Sequence, residues 1–365
     1  MVVQAIIEIV KHYAQGEITN FIKVWTLVFA SLSYCFFLSK SLPTGFSRLL
    51  AITPALILNL VLPLSLHTMH LGGSSAFFLS WLANFKLIML AFGEGPLSDP
   101  SISLPKFAAF ACLPIKSPTD SSKRGLKSIW NYLAKALLIC LFLKMYNYTD
   151  LVHPKLTWIL YALHIYCGLE IILAIVGGLA KAVTGVELEP QFDEPYLSSS
   201  LQEFWGRRWN IMVSKILRPT VYKPVLDFSV PITGRRWAHF PAMFASFLVS
   251  GLMHELIFYY LGRSRPSGEL TAFFVLHGVC LGAEVAVKKA VKGRWRLPRV
   301  VAGPLTIGFV LATAFWLFFP EFLRCNAIEK AFGEYAAMEA FVRDVGYALA
   351  SKSIHNTTII TNTIV

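Results

Sequence analysis

The sequence is short of charged residues, and especially of acidic ones. Only 15% of its 365 residues are Asp, Glu, Lys or Arg, compared with roughly 25% in soluble domains. Hydrophobic residues make up 55% of the chain, and 33 basic residues outnumber 21 acidic ones, which gives a formal net charge of +12. A chain this apolar is not an ordinary globular protein, so its length favours one membrane bundle over two soluble domains.

The signatures of several enzyme classes are also missing. The sequence contains no G-x-S-x-G, no histidine followed by aspartate at the spacing HxxxD or HxxxxD, no P-loop and no G-x-G-x-x-G. His254-Glu255 begins like the H-E-x-x-H of zinc proteases, but the second histidine is absent. None of the six cysteines forms a CxxC pair, so no disulfide framework is expected. His67 and His70 have i, i+3 spacing, but no carboxylate or cysteine lies near them in sequence, so no metal site is expected.

The positive charge lies in the connections between apolar segments. No basic stripe with interleaved exposed aromatics occurs, so a nucleic-acid partner is not expected. The basic connections instead suit membrane lipids with anionic headgroups, or a phosphorylated substrate. Two of them, 203–236 and 288–299, flank a predicted helical hairpin and should share one face, which the positive-inside rule places in the cytoplasm. Arg263 and Arg265, in the hairpin connector, count against that orientation.

Long apolar runs are abundant. A spanning helix needs about 20 mostly apolar residues, and about eight runs approach this length, at roughly 24–39, 49–66, 76–93, 132–146, 156–180, 240–261, 271–287 and 301–323. The stretch 107–115 is predicted to be a short re-entrant or interfacial piece. Because no internal repeat or low-complexity linker divides the chain, we predict a single all-α domain over residues 1–365, a polytopic transmembrane helix bundle.

One histidine lies deep in such a run. At 1.5 Å per residue, His254 is roughly 20 Å from the start of the helix predicted over 240–261. An ionisable side chain at that depth is costly, so a functional role is the default hypothesis. The alternative is a structural histidine bonded to a backbone carbonyl or to a neighbouring helix. As a neutral imidazole, the side chain can accept a proton at cytosolic pH.

A second segment, FWGRRWN (204–210), is too polar to span a membrane. Its tryptophans and arginines are typical of an interfacial helix, in which Trp anchors at the level of the lipid headgroups. That interpretation accounts for Trp205, Trp209 and the two arginines. It leaves Asn210 unexplained, because an exposed asparagine is ordinary.

The pairing of FWGRRWN (204–210) with SGLMHE (250–255) resembles the plant wax synthase family, a branch of the membrane-bound O-acyltransferase (MBOAT) superfamily. Further matching stretches at 70–92, 189–210 and 273–291 extend the resemblance over about residues 20–320, and the tail at about 325–365 stays unassigned. The resemblance implies an MBOAT-like bundle in the endoplasmic reticulum membrane. It also implies an acyl-CoA co-substrate with no further cofactor, and a lipid-like alcohol acceptor. His254 would be the catalytic histidine and Asn210 its polar partner.

Acyl transfer from a thioester to an alcohol needs a base for the hydroxyl and a donor for the developing oxyanion. His254 fits the first role, and the Asn210 amide fits the second or holds the acceptor hydroxyl. Small residues of the hairpin, Gly251, Gly278 and Gly282, are expected to leave room for a substrate chain. The further candidates for substrate or CoA binding are Arg207, Arg208, Trp209, Arg235, Arg236, Glu255, His277, Lys86 and Asn84.

The function predicted from these residues and the resemblance is the esterification of a long-chain fatty alcohol with an acyl-CoA, which yields a wax ester. The same chemistry on a sterol or diacylglycerol acceptor, or with acetyl-CoA as donor, stays open. A membrane transporter is the alternative from another class, with His254, Asn210 and Lys86 along a solute path. Many transporters show corresponding half-repeats, which this sequence lacks. The oligomeric state is not determined by the sequence.

Overall fold

The structure is a computed structural model that describes residues 2–14, 16–114, 128–185, 191–291 and 297–362. Within these ranges every regular element is helical and no strand occurs, so the all-α prediction is confirmed. The α-helices of these ranges are α1 (Val2–Ala14), α2 (Glu17–Ser41), α3 (Phe46–Val61), α4 (His70–Ala76), α5 (Asn84–Ala91), α6 (Leu104–Cys112), α7 (Ile129–Met145), α8 (Pro154–Thr184), α9 (Leu201–Glu203), α10 (Ile211–Leu217), α11 (Lys223–Thr233), α12 (His239–Gly262), α13 (Glu269–Val291), α14 (Arg299–Leu317), α15 (Phe319–Arg324) and α16 (Ala327–Asn362).

Eight helical segments of the described ranges are long and apolar enough to cross a membrane. They are Glu17–Ser41, Phe46–Ser65, His70–Ala91, Ile129–Leu151, Pro154–Ala182, His239–Gly262, Glu269–Val291 and Arg299–Leu317. The predicted number of spans is therefore confirmed, and the chain is an integral multi-pass membrane protein. Most segments extend a few residues beyond the predicted runs, because a helix continues through polar residues at the membrane interface as long as its backbone hydrogen bonds are made.

Local sequence sets several helix ends. α8 begins with Pro154 at its first position, where a missing N–H costs nothing, and the His153 ring accepts a hydrogen bond from the N–H of Lys155. It ends at Gly185, whose φ of 71° lies in the left-handed region that favours glycine. The eighth span ends at Leu317 instead of the predicted 323, because a short separate helix, α15, begins at Phe319.

The predicted piece at 107–115 is the short helix α6, of which Phe107 and Ala111 are fully buried; residue 115 lies outside the described residues. The Lys86 ammonium donates to the carbonyl oxygens of Phe110 and Leu113, each at 2.6 Å. These carbonyls lie at the end of α6, where backbone acceptors have no partner within the helix. Lys86 therefore holds α6 against the bundle.

The antiparallel pair α12–α13 forms the central hairpin, and its glycines lie in the contact between the two helices. A Cβ atom at Gly251 would lie 2.7 Å from Thr271 Cα, and one at Gly278 would lie 3.0 Å from Phe247 Cβ. At Gly282, the Met243 side chain would be 3.3 Å away. The expectation that these glycines leave room for a substrate chain is wrong, because the facing helix already fills the space.

The two predicted basic connections lie at the same end of this hairpin, as expected, since one precedes α12 and the other follows α13. Residues 292–296 of the second connection lie outside the described residues. Near this end, the Glu284 carboxylate accepts hydrogen bonds from the backbone N–H groups of Leu201 (2.8 Å) and Gln202 (3.3 Å). This contact ties the segment that contains FWGRRWN to α13. The assignment of this face to the cytoplasm stays a prediction.

At the opposite end, the C-terminal tail forms the helix α16, which docks on the bundle. Glu334 accepts hydrogen bonds from the His70 backbone N–H (3.0 Å) and pairs with His70 Nδ1 (2.6 Å). The Tyr335 hydroxyl lies 3.1 Å from the Nε2 atoms of both His70 and His164. Hydrogen bonds to His70 are among the interactions that lower the pKa of Glu334, although burial opposes them. The tail, left unassigned from sequence, thus closes one end of the fold.

Candidate active site

A cavity of about 300 Å³ lies beside the central hairpin, and both residues singled out by the sequence line it. His254 lies on α12, and Asn210 is the residue that directly precedes α10; both side chains line the cavity. Aromatic side chains are the largest group in the rest of the wall, and Trp81, Trp205 and Phe274 are among them. Residues far apart in sequence are therefore brought to one space inside the bundle.

The His254 ring is held in one tautomer by its own helix. Nδ1 lies 2.7 Å from the carbonyl oxygen of Ser250, and because a carbonyl only accepts, Nδ1 must carry the hydrogen. In the neutral ring, Nε2 then keeps its lone pair. The ring packs on Phe274, with centroids 4.3 Å apart, and on Trp81, with centroids 5.1 Å apart. The backbone contact that sequence reasoning offered as a structural alternative is present, but it occupies only one ring nitrogen.

Asn210 stands at a special backbone position. Its φ of 44° and ψ of 62° lie in the left-handed region, which few residues with a side chain adopt and which asparagine tolerates best. It is the N-cap of α10, yet its side chain makes no capping hydrogen bond. The backbone around it is tied to Gln191, whose carbonyl oxygen accepts from the N–H of Ile211 at 3.0 Å. The amide of Asn210 is thus left available to the cavity.

Three π-helical segments of the described chain contribute to the cavity wall. Phe77–Ala83 supplies Trp81, Phe204–Arg208 supplies Trp205 and Gly206, and Arg218–Tyr222 supplies its two terminal residues. A π-turn inserts one extra residue into a helix and so redirects the side chains that follow, and such turns are frequent at functional sites. Nothing in the hydropathy pattern predicts them, because they depend on the packing of neighbouring helices.

Of the four arginines predicted to bind CoA, none is among the lining residues in the part of the chain that the structure describes. Arg207 and Arg235 are exposed. Arg236 is also exposed, with its guanidinium 5.6 Å from the ring centroid of Trp237. Arg208 has a local role, since its Nε donates to Glu203 Oε1 at 2.8 Å and its Nη1 to the Asp193 carbonyl oxygen at 2.8 Å.

Glu203 shows how tightly this loop is organised. Its carboxylate accepts hydrogen bonds from the backbone N–H (2.9 Å) and the hydroxyl (2.8 Å) of Ser199 and from Arg208. These contacts, the Ser199 N–H first, lower the pKa of Glu203 to about 2 against the opposing effect of burial. The Arg208–Glu203 pair therefore stays charged and fixes the turn that presents Trp209 and Asn210 to the cavity.

Sequence reasoning missed Arg218 and Tyr222, which both line the cavity. Arg218 is exposed and forms no ion pair with the described residues, while the Tyr222 hydroxyl lies 2.8 Å from His239 Nδ1. A signal was present, because Asn210, Ser214 and Arg218 recur at intervals of four residues. Such spacing places side chains on one face of a helix.

The other predicted candidates from the apolar runs are buried in packing and are not among the lining residues. Glu255 Oε1 accepts from the backbone N–H of Thr271 at 3.1 Å, and so caps the first turn of α13. Asn84 bonds to the amide of Asn59 at 3.0 Å and to the Leu56 carbonyl oxygen at 3.1 Å. With Lys86 bound to α6, these side chains join helices together.

His277 lies behind the cavity wall. The Trp205 indole N–H donates to His277 Nδ1 at 3.0 Å, so Nε2 carries the hydrogen and donates to the Thr313 hydroxyl at 2.8 Å. Thr313 in turn donates to the Phe309 carbonyl oxygen at 2.8 Å. Both ring nitrogens are therefore occupied, and the side chain holds Trp205 in place.

An intramembrane ion pair also escaped the sequence analysis. Lys135 of α7 pairs with Glu170 of α8, and Glu170 also accepts from the Tyr166 hydroxyl at 2.9 Å. Tyr166 packs on Phe192, and Phe192 packs on the cavity residue Trp209 with centroids 4.9 Å apart. Opposite charges in adjacent apolar runs were the available signal, since a lone charge inside a membrane is costly and seeks a partner.

The fold and the site define an integral membrane protein with a histidine and an asparagine amide at one cavity inside the bundle. The sequence profile of the membrane bound O-acyl transferase family matches residues 188–276, a stretch that contains both Asn210 and His254. The chain is 48% identical to Acyl-CoA–sterol O-acyltransferase 1 of Arabidopsis thaliana over 336 residues, covering 89% of this chain and 97% of that protein. It is 47% identical to the long-chain-alcohol O-fatty-acyltransferase of Simmondsia chinensis over 336 residues, covering 89% and 95% respectively.

The chain therefore belongs to the membrane bound O-acyl transferase family, and the predicted relation to the plant wax synthases is confirmed. It is an acyltransferase, as expected from the sequence. The transporter alternative finds no support in these relatives. The roles of individual site residues stay predictions.

Proposed function

We propose that this protein transfers a fatty acyl group from acyl-CoA to the hydroxyl of a long-chain fatty alcohol in the endoplasmic reticulum membrane, which forms a wax ester. The observation that carries the proposal is the joint presence of His254 and Asn210 in one intramembrane cavity. The tautomer of His254, with Nδ1 bonded to Ser250, leaves Nε2 as a base. A base and a neutral amide donor are the two groups that this chemistry needs.

The reaction proceeds in two steps. The acceptor hydroxyl gives its proton to His254 Nε2 while its oxygen attacks the thioester carbonyl carbon, and the carbonyl electron pair moves onto oxygen. The Asn210 amide donates to the substrate in this step. When the oxyanion collapses, the carbon–sulfur bond breaks, and the thiolate leaves as CoA-SH with the proton that His254 returns. No covalent acyl-enzyme is required, because the thioester is already activated.

The cavity suits an acyl donor with a polar head and an apolar chain. Arg218 and Tyr222 place a positive charge and a hydroxyl at one part of its wall, whereas aromatic side chains surround His254. The phosphates of CoA favour arginine contacts. Arg207, Arg235 and Arg236 would add a diffuse positive field around this polar part. The exclusion of water from the aromatic part limits hydrolysis of the thioester.

A sterol is the second candidate acceptor, because the Arabidopsis relative named as an acyl-CoA–sterol O-acyltransferase shares 48% identity with this chain. The fatty alcohol remains the first choice, in line with the Simmondsia relative at 47% identity. Both acceptors offer one hydroxyl on an apolar body, so the chemistry at His254 is the same.

Microsomes from a host that makes no neutral lipid of its own provide the test. Membranes that contain the wild-type chain or His254→Ala are given labelled acyl-CoAs of several lengths, including acetyl-CoA, with fatty alcohols, sterols or diacylglycerol. Labelled wax ester from the wild type alone is the expected product. Sterol ester in place of wax ester would reassign the acceptor, and the absence of any ester from normally expressed wild type would refute the proposed function.

A further inference from the structure

Trp81 is buried, with 1% of its surface exposed, yet its indole N–H has no hydrogen-bond partner among the described residues. Almost all buried N–H groups in native proteins are paired, because an unpaired donor loses its bond to water and gains nothing in return. An unpaired donor beside a cavity therefore indicates a partner that arrives with the substrate.

The location of Trp81 identifies the part of the substrate concerned. Its ring lines the cavity and stands nearly perpendicular to the His254 imidazole, at an interplanar angle of 84° with centroids 5.1 Å apart. On another side, Phe77 packs against the ring with centroids 5.6 Å apart. The π-helical segment Phe77–Ala83 fixes this orientation. Because the two rings are in edge-on contact beside one cavity, a group bound at His254 would lie next to this indole.

A second tryptophan of the same cavity provides a contrast. The indole N–H of Trp205 is 3.0 Å from His277 Nδ1 and is therefore satisfied by the protein. Both rings line the cavity, but only the N–H of Trp81 is left without a partner in the part of the chain described. The difference shows that the fold can pair a cavity tryptophan, which makes the buried, unpaired N–H of Trp81 a candidate for ligand contact.

We propose that Trp81 is a further catalytic residue, whose indole N–H donates a hydrogen bond to the thioester carbonyl oxygen of the acyl donor. The inference rests on the proposed acyl transfer. As the acceptor oxygen bonds to the carbonyl carbon and its proton passes to His254 Nε2, the carbonyl oxygen takes the electron pair and becomes an oxyanion. The Trp81 N–H, alongside the Asn210 amide, stabilises that charge until the carbon–sulfur bond breaks and CoA leaves. A fixed neutral donor in a dry site acts most strongly where charge develops.

The test uses the full-length protein in membranes and changes one atom group. Replacement of Trp81 by benzothienylalanine puts sulfur where indole has N–H and preserves the size of the ring, while Trp81→Phe removes the donor and shrinks the ring. We expect the isostere to lower kcat by about 10²-fold, the range for loss of an oxyanion donor, with KM for acyl-CoA changed less than about threefold. Trp205→Phe is the matched control. We expect it to lower thermal stability, with a smaller loss of kcat than the Trp81 isostere shows.

The outcomes separate the possible failures. An isostere with wild-type kcat, whether or not Trp81→Phe is impaired, would overturn the catalytic role and leave the ring as packing. A rise in KM with unchanged kcat would also overturn it, since the N–H would then bind donor and transition state equally. If the wild-type enzyme forms no ester with any acceptor, the proposed acyl transfer itself is refuted. If the wild type is active, His254→Ala is inactive and the Trp81 isostere keeps wild-type kcat, only the role of Trp81 is refuted and the proposed acyl transfer stands.

Discussion

His254 and His277 lie on the two arms of one hairpin, each packed against a tilted phenylalanine ring with ring centroids 4.3 Å apart. One ring nitrogen of His254 is hydrogen-bonded to the Ser250 carbonyl oxygen, and the ring lines the cavity. Both ring nitrogens of His277 are hydrogen-bonded, one to Trp205 and one to Thr313, and the residue is fully buried. At the same depth and in the same kind of helix, the number of hydrogen-bonded ring nitrogens distinguishes the proposed base, His254, from His277, which supports Trp205.

The two rings are also held in opposite tautomers. His254 carries its hydrogen on Nδ1, because its partner there is a carbonyl. His277 carries its hydrogen on Nε2, because Nδ1 accepts from an indole. A neutral histidine can accept a proton from substrate only through the nitrogen that lacks a hydrogen. In His277 that nitrogen is already occupied, so proton transfer from a substrate would require breaking the bond to Trp205.

The largest effect is expected at His254. His254→Ala removes the proposed base and should lower activity by about 10²–10⁴-fold, while the protein still accumulates in membranes. Esterification by microsomes with equal amounts of wild type and variant measures the change. If the variant kept more than half of the activity, the assignment of His254 as the base would be wrong. The difference in hydrogen bonding between His254 and His277 would then not reflect a difference in catalytic role.

The next largest effect is expected at Asn210. Asn210→Ala removes an amide donor from the cavity, and loss of one oxyanion donor costs on the order of 10²–10³-fold in kcat. Asn210→Gly is the matched control for the left-handed backbone, since glycine adopts φ of 44° without strain but carries no amide. The two variants should lose kcat equally. Recovery of activity in the glycine variant would show that backbone conformation, and not the amide, is what Asn210 contributes.

A smaller effect on catalysis and a clear effect on stability are expected at His277. His277→Ala leaves the Trp205 N–H unpaired, which costs about 1–3 kcal/mol in the free energy of unfolding, with kcat reduced less than about tenfold. His277→Gln offers an amide oxygen and an amide N–H in place of the two ring nitrogens and should recover part of the loss. Thermal unfolding in detergent, together with kcat, measures both changes. A loss of kcat as large as in His254→Ala, at normal stability, would place His277 in the reaction.

The smallest effect is expected at Arg218. Arg218→Gln removes an exposed charge from the cavity wall, and because exposed charge contacts are weak and screened, KM for acyl-CoA should rise about 2–5-fold with kcat unchanged. Added salt should reduce the difference between wild type and variant. Arg207→Gln, on an exposed arginine that does not line the cavity, should change KM less. The reverse order would favour the hypothesis based on sequence, in which Arg207 and Arg208 bind CoA.

Two side chains singled out from the sequence share one cavity, but the sequence did not distinguish them from the polar residues that join helices. His254 is indicated by its depth in an apolar run, whereas Asn210 is indicated only by the resemblance to the plant wax synthases, because an interfacial helix leaves it unexplained. Lys86, Asn84, Glu255 and His277 were also found as polar groups in apolar runs, but the structure commits each of them to another helix. An unusual residue in a membrane helix must be satisfied somewhere, and the sequence does not reveal whether its partner is the protein or the substrate.

The sequence by itself determined the membrane class, the number of spans and the spanning helices that carry Lys86, His254 and His277. These properties follow from composition and from hydropathy over about 20 consecutive residues, which are local quantities. Tertiary structure alone decided that the glycines of the hairpin join α12 to α13, that Arg218 reaches the cavity and that the Trp81 N–H is unpaired while that of Trp205 is not. Each of these features depends on which face of one helix packs against another helix. A side chain can take its hydrogen-bond partner from a distant part of the chain, and the residues next to it in sequence do not indicate which partner that is.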